Sequence, residues 1–268
     1  MIIGERKCGT SSLYRYLVSH PRVLPCKVKE THFFSNAPQY VREHFEEYLR
    51  FFPDDADSEA TGEWIELDES DRIEHSQLRV PIEPDVEYIT GEASANVLAT
   101  VDARLLYEHL PDLKLIVLVR DPVERAFSHF AMHQRYKAEG RKWFWLLRSM
   151  RPTFAAEWVV SRLGLDGPYL GPGRYLENIE RWLQVYPRPQ LMVIRTEDLD
   201  DAHTAESVME QLCEFLELPE HDFGDVLSER FNVSRHKARD EAAAAALRRY
   251  YAPHNRALED FLGRSLDW

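Results

Sequence analysis

The chain has 268 residues, enough for one large α/β domain or at most two small ones. Its hydrophobic share of 44% suits a globular protein with a sizeable core, yet no apolar run approaches the roughly 18–20 residues that span a bilayer. A net charge of −13 argues against nucleic acid as the main partner, because a phosphate backbone demands a basic face, although a local basic cluster can still hold a small anion.

Met1-Ile2-Ile3 reads as a short apolar strand that runs into Gly4-Glu5-Arg6-Lys7-Cys8-Gly9-Thr10-Ser11-Ser12. Leu13 to Val18 reads as an amphipathic helix that stops at His20-Pro21. Arg22-Val23-Leu24 suits a short strand, and residues 38–51 a helix with Tyr40, Phe45, Tyr48, Leu49 and Phe51 on one face. Residues 53–87 are acidic and proline-punctuated, which marks an acidic surface excursion. Tyr88-Ile89-Thr90 is a strand, followed by Gly91-Glu92-Ala93-Ser94.

Leu115-Ile116-Val117-Leu118-Val119 is the clearest buried strand, a continuous apolar run of the parallel-sheet kind, and a helix follows from about Val123. Residues 141–172 are rich in Trp, Phe, Pro and Gly and are a candidate acceptor-side lid; Trp143, Phe144, Trp145, Phe154 and Trp158 there either stack on an acceptor or form a buried helix face. Helical spacing returns at Tyr175, Ile179, Trp182 and Leu183, then a strand at Leu191–Ile194. Residues 204–217 and 240–251 are helical by composition, and Pro253 starts a final helix to about Leu262. Strands alternating with helices give an α/β fold, one domain over 1–268 with a central, mainly parallel β-sheet flanked by helices.

The opening strand, glycine-bearing loop and hydroxyl-rich helix start make an anion cradle. Backbone N–H groups at a helix N-terminus and the helix dipole both favour negative charge. Lys7 adds a full charge, and Thr10, Ser11 and Ser12 add hydroxyl donors. The Walker loop carries lysine after its last glycine, whereas Lys7 precedes Gly9 by two, so this is not a standard ATP or GTP loop. Arg120 follows the buried strand at the carboxyl end, where open α/β sheets bind ligands, and Ser128 sits eight residues on in the next helix. The alternatives are a plain helix cap at the first site and, at the second, Arg120 paired with Asp121 or a nearby carboxylate at the strand end.

The K-x-G-T-S-S run resembles the 5′-phosphosulfate loop of sulfotransferases that use 3′-phosphoadenosine-5′-phosphosulfate (PAPS). The segment from Val119-Arg120 to Ser128 is similar to their 3′-phosphate motif, V-R-x-P-x-x-R-x-x-S. Lys29-Glu30-Thr31-His32-Phe33-Phe34 resembles the K-E-x-H-F-F segment of heparan sulfate sulfotransferases and bacterial relatives. Gly173-Arg174-Tyr175, Trp182, Gln190–Leu199 and the tail from Tyr251 to Trp268 extend the likeness over nearly the whole chain.

The resemblance implies a P-loop-like fold and a PAPS-dependent sulfotransferase, with PAP as product and a hydroxylated acceptor such as a carbohydrate. It implies that Lys7, Cys8, Gly9, Thr10, Ser11 and Ser12 hold the 5′-phosphosulfate and that Arg120 and Ser128 hold the 3′-phosphate. It further implies that Glu30 is the general base, that His32 lies near the acceptor as its understudy, and that Lys7 faces the leaving group. A basic loop, Ser234–Arg239, offers Lys237 and Arg239 as phosphate contacts, or is a solvated basic run. No metal is required. The chain departs from the family's E-K-[ST]-P-x-Y pattern, reading Glu92-Ala93-Ser94-Ala95-Asn96-Val97, which leaves Lys7 as the main cation at the reacting centre.

The three cysteines, Cys8, Cys26 and Cys213, show no paired spacing and the eleven histidines no metal-ligand pattern. A P-loop kinase, with Asp121 holding Mg²⁺, and an inactive PAP-binding scaffold are the rival readings. A complete chain would be expected in the cytoplasm, but the first strand starts at the first residues, which leaves an upstream segment open.

Overall fold

The computed structural model describes residues 1–54, 56–67, 73–138, 167–229 and 241–268. In chain order these form β1 (Ile2–Gly4), α1 (Thr10–Val18), β2 (Val23–Pro25), α2 (Pro38–Glu43), α3 (Phe45–Leu49), β3 (Glu59–Leu67) and β4 (Ile73–Pro81). There follow β5 (Ile89–Gly91), α4 (Val97–Thr100), α5 (Ala103–Tyr107), β6 (Leu115–Val119), α6 (Pro122–Ala138), α7 (Tyr175–Leu183), β7 (Leu191–Arg195), α8 (Ala202–Leu216) and α9 (Glu241–Leu262). They fall into two compact units, Met1–Val119 with Arg181–Val233, and Arg120–Glu180 with Ser234–Trp268. The fold is α/β with a mainly parallel sheet.

In the first unit β6 is central, parallel to β1 on one side and β7 on the other. All five of its residues are buried, as expected of a strand covered on both faces. β2 and β5 form a second parallel pair, and Ile2 N–H donates to Glu92 O at 2.9 Å, so the chain just past β5 meets β1 on the side away from β6. The acidic segment carries more regular structure than its composition discloses: β3 and β4 pair antiparallel from Glu59 with Pro81 to Leu67 with Ile73. Ala60, Gly62 and Trp64 are buried along one face while Glu63 is exposed, the alternation that lets an antiparallel hairpin face water on one side.

Asp102 caps α5 by accepting from Arg104 N–H, and Asp201 caps α8 by accepting from His203 N–H. The last carbonyls of α4 are met by side chains: Trp182 Nε1 donates to Leu98 O at 3.0 Å and Arg181 Nη2 to the same oxygen at 3.1 Å. The helix expected over 38–51 is interrupted at His44, whose backbone leaves helical geometry between α2 and α3.

In the second unit Val123 and Ala126 of α6 pack with Tyr169, Leu170, and Ala244, Leu247 and Tyr251 of α9. α9 corrects the expectation that Pro253 opens a new helix. Pro253 lies inside one helix of 22 residues, because Leu247, Tyr251 and Leu258 form a buried stripe spanning both sides of it. No helix among the described residues is long and apolar enough to cross a membrane. Gly173 is held against Tyr251: a Cβ there would stand 2.6 Å from its Oη and 2.7 Å from its Cζ. Gly173→Ala is expected to destabilise the protein by about 1–3 kcal/mol through overpacking, read as a lower urea midpoint. An unchanged midpoint would mean that Tyr251 yields without cost.

Candidate active site

The loop after β1 is shaped by left-handed backbone at Lys7 (φ 72°) and Gly9 (φ 83°), and Gly9 leads directly into α1. No side chain caps this helix, so Gly9 and the first-turn residues Thr10, Ser11 and Ser12 present backbone at its positive end. Glycine is required at position 9 both for its φ and because a Cβ would lie 3.3 Å from Thr196 Cγ2. Thr196 Oγ1, just past β7, reaches Cys8 O at 2.7 Å and Val119 O at 3.0 Å, tying the loop to the end of β6. Cys8 donates its N–H to Glu5 O, and its side chain is buried, so it shapes the loop from within.

The K-E-x-H-F-F segment lies in the same unit and is gripped by the residues after β5. Glu92 is 2% exposed and accepts four hydrogen bonds. Its Oε2 takes Thr31 N–H at 3.0 Å, Thr31 Oγ1–H at 2.8 Å and Ser94 Oγ–H at 2.6 Å, and its Oε1 takes Tyr48 OH at 3.0 Å. Burial, then the Glu92 charge, pushes the Tyr48 phenol well above its ordinary value, so it remains a donor. Ala93 N–H donates to Lys29 O, and His32 N–H to Ser94 Oγ at 3.3 Å. His32 itself sits at φ 51°, which turns the chain before Phe33 and Phe34 bury against Tyr48.

This frame presents Glu30 between Lys29 and His32. Lys29 Nζ stands 2.6 Å from Oε1 and His32 Nε2 stands 3.3 Å from Oε2. Burial pushes the Glu30 carboxyl up, but the Lys29 ammonium, with His32 and Arg6, outweighs it and holds the group below its ordinary value. Glu30 is therefore ionised near neutral pH, the state a proton acceptor needs.

The second unit holds the other expected anion contacts. Arg120 has its backbone fixed by Tyr175, whose OH donates to Arg120 O at 2.9 Å. Asp121 Oδ1 accepts from Val123 N–H at 2.8 Å and so caps α6. Ser128 lies six residues into α6 from Pro122, about 9 Å along its axis, and is 3% exposed. Arg125 of the same helix is buried and donates to Tyr169 O. Lys237, Arg239 and the aromatic residues of 143–158 lie outside the described residues.

Glu30 and His32 are in contact, and Lys7 through Ser12 run from the loop after β1 into the first turn of α1. Sequence alone assigns no role at the site to Lys29, Glu92 or Tyr48. Glu92 carried a signal, a carboxylate at the carboxyl end of a strand, where open α/β sheets place their sites.

Replacing Glu92 by Gln puts an amide nitrogen among donors that need an acceptor, and a loss of about 1–3 kcal/mol is expected in urea unfolding. Unaltered stability would contradict the four-bond frame. Glu30 has a folded value below its unfolded one, so its contribution to stability is present above the unfolded value and lost as pH falls through the folded value. The stability gap between wild type and Glu30→Gln should narrow in acid; a gap that widens there contradicts this pairing.

Comparison with known proteins gives the same family from several directions. A family model described as a sulfotransferase domain matches residues 1–243. The bifunctional heparan sulfate N-deacetylase/N-sulfotransferase of Drosophila melanogaster is 27% identical over 297 aligned residues, covering 98% of this chain and 26% of that protein. The human bifunctional heparan sulfate N-deacetylase/N-sulfotransferase 3 is 28% identical over 239 residues, covering 85% of this chain and 23% of that protein. The chain thus spans about a quarter of the length of these curated relatives. The crystal structure of a sulfotransferase from Alicyclobacillus acidocaldarius matches with a TM-score of 0.63 at 25% identity, covering 99% of this chain and 95% of that one. With its strand–loop–helix cradle and its oriented glutamate, the chain belongs to the sulfotransferase-domain family.

Proposed function

We propose that this chain transfers a sulfo group from PAPS to an acceptor hydroxyl, on a carbohydrate, a lipid or a small metabolite. The observation that carries the reading is Glu30, ionised and oriented by Lys29 while Glu92 holds its loop. Family membership supports sulfo transfer, and the order of Lys7 and Gly9 supports a phosphosulfate over an ATP loop.

The residues present fit such a donor. Gly9 opens the helix start where a Cβ would crowd it, and Lys7, Thr10, Ser11 and Ser12 supply charge and donors for a phosphosulfate. Arg120 carries a permanent charge suited to bidentate phosphate contact, and Ser128 adds a hydroxyl; these are the proposed 3′-phosphate ligands. Lys237 and Arg239 are proposed as further phosphate contacts. When bound, PAPS supplies an electrophilic sulfur whose bond to the phosphate oxygen breaks as the acceptor oxygen bonds to it. Glu30 takes the acceptor's proton, and Lys7 stabilises charge on the leaving side. Positioning and electrostatics supply the rate, as in phosphoryl transfer.

The kinase rival needs Asp121 for Mg²⁺, but Asp121 Oδ1 serves as the α6 cap. The relatives named for heparan sulfate favour a carbohydrate acceptor, while Ala93 in place of the family lysine argues against an unmodified heparan-type acceptor site.

Calorimetry is expected to show PAP binding roughly 10- to 150-fold tighter than ADP, the loss of one charge-assisted phosphate contact of about 1.5–3 kcal/mol. Equal affinities would remove Arg120 and Ser128 from the 3′-phosphate role. Glu30→Gln should lower the maximal rate roughly 10²–10⁴-fold with little change in PAP affinity. A dead His32→Ala beside an active Glu30→Gln would make His32 the base instead.

A further inference from the structure

One hydroxyl brackets the backbone of Arg120. Tyr175 OH donates to Arg120 O at 2.9 Å and stands 3.4 Å from Arg120 N, whose hydrogen it accepts. Tyr175 is buried at the start of α7, so the aim of its hydroxyl is set by what packs on its ring. Trp268 packs there, with ring centroids 6.0 Å apart and planes tilted by 54°, within the range of favourable aromatic pairs. A built turn delivers it. Gly263, at φ 67°, ends α9 and donates its N–H to Glu259 O at 2.8 Å. Glu259 Oε1 then accepts Leu266 N–H at 2.8 Å, and the Leu266 side chain is buried. Asp267, at φ 55°, turns the chain once more before Trp268. The Trp268 indole nitrogen is buried with no hydrogen-bond partner among the described residues, so the ring acts by packing and not through its N–H.

We infer that Trp268 is a positioning residue for Arg120: its ring holds Tyr175, and the Tyr175 hydroxyl holds the backbone from which the guanidinium reaches a 3′-phosphate. This rests on the reading of Arg120 as a 3′-phosphate ligand. Trp268 itself touches no ligand. A planar guanidinium fork grips phosphate in a fixed geometry, so it loses more from a loosened root than a point charge would. The 3′-phosphate is a group that PAP carries and ADP lacks, so loss of Trp268 should tell on PAP and spare ADP.

The test is calorimetry of the full chain with PAP and with ADP. Trp268→Ala is expected to weaken PAP roughly two- to tenfold and leave ADP unchanged. Trp268→Phe, which keeps an aromatic ring and removes an N–H that bonds nothing, should restore the wild-type ratio. If the alanine variant does not fold, Trp268→Leu takes its place with the same expectation. Tyr175→Phe should weaken PAP similarly, and combining it with Trp268→Ala should add little, because both act through one hydroxyl. A folded Trp268→Ala with an unchanged ratio, an equal loss for both nucleotides, or additive losses in the double variant overturns the inference. The amide signal of Arg120 in a proton–nitrogen correlation spectrum of the ligand-free protein reads the link separately. It should move in Trp268→Ala and stay in Trp268→Phe; a signal that stays in both breaks the link. A signal that moves as expected while Arg120→Ala leaves the PAP-to-ADP ratio intact would instead overturn the phosphate reading of Arg120.

Discussion

The Glu92 carboxylate is the constraint on which the rest of the first unit hangs. A buried charge is tolerated only when its lone pairs are met, and here four donors from Thr31, Ser94 and Tyr48 meet them. Its main-chain oxygen accepts Ile2 N–H, so one residue links the edge of β5 to β1 and the loop that carries Glu30 to both. Tyr48 carries the constraint outward, because Phe33 and Phe34 pack on its ring at centroid distances of 5.2 and 4.9 Å. The strand edge and the placement of Glu30 are therefore set by the same residue.

A hydroxyl performs the matching task at the anion cradle. Thr196 binds the carbonyls of Cys8 and Val119, fixing the loop after β1 to the end of β6. The cradle is thus preorganised by a hydroxyl that ties its backbone to the sheet. That is the economy electrostatic catalysis needs, since donors set in advance need no reorganisation during the reaction.

Much of this was legible in the sequence because it is written locally. β6 announces itself by five consecutive apolar residues, and the cradle by a glycine, a lysine and hydroxyls at a strand–helix junction. What was illegible is held by distant contacts. Glu92 and Thr31 are 61 residues apart, and Cys8 and Thr196 are 188 apart, so no local period reports them. Pro253 misled for a physical reason: helix-breaking propensity is a local quantity, while the stripe of Leu247, Tyr251 and Leu258 that overrides it is tertiary. The β3–β4 pairing was obscured by its charge, since Glu59, Glu63, His75, Gln77 and Arg79 are exposed.

The central claim is that the loop after β1 presents Lys7 to the departing group of a sulfo donor. It is tested most directly by single-turnover transfer of ³⁵S from labelled PAPS, comparing wild type with Lys7→Ala. Lys7 lies outside the buried core, so the variant should keep the wild-type melting temperature. The account predicts that it transfers no measurable label. A folded Lys7→Ala variant with near-normal transfer would contradict it.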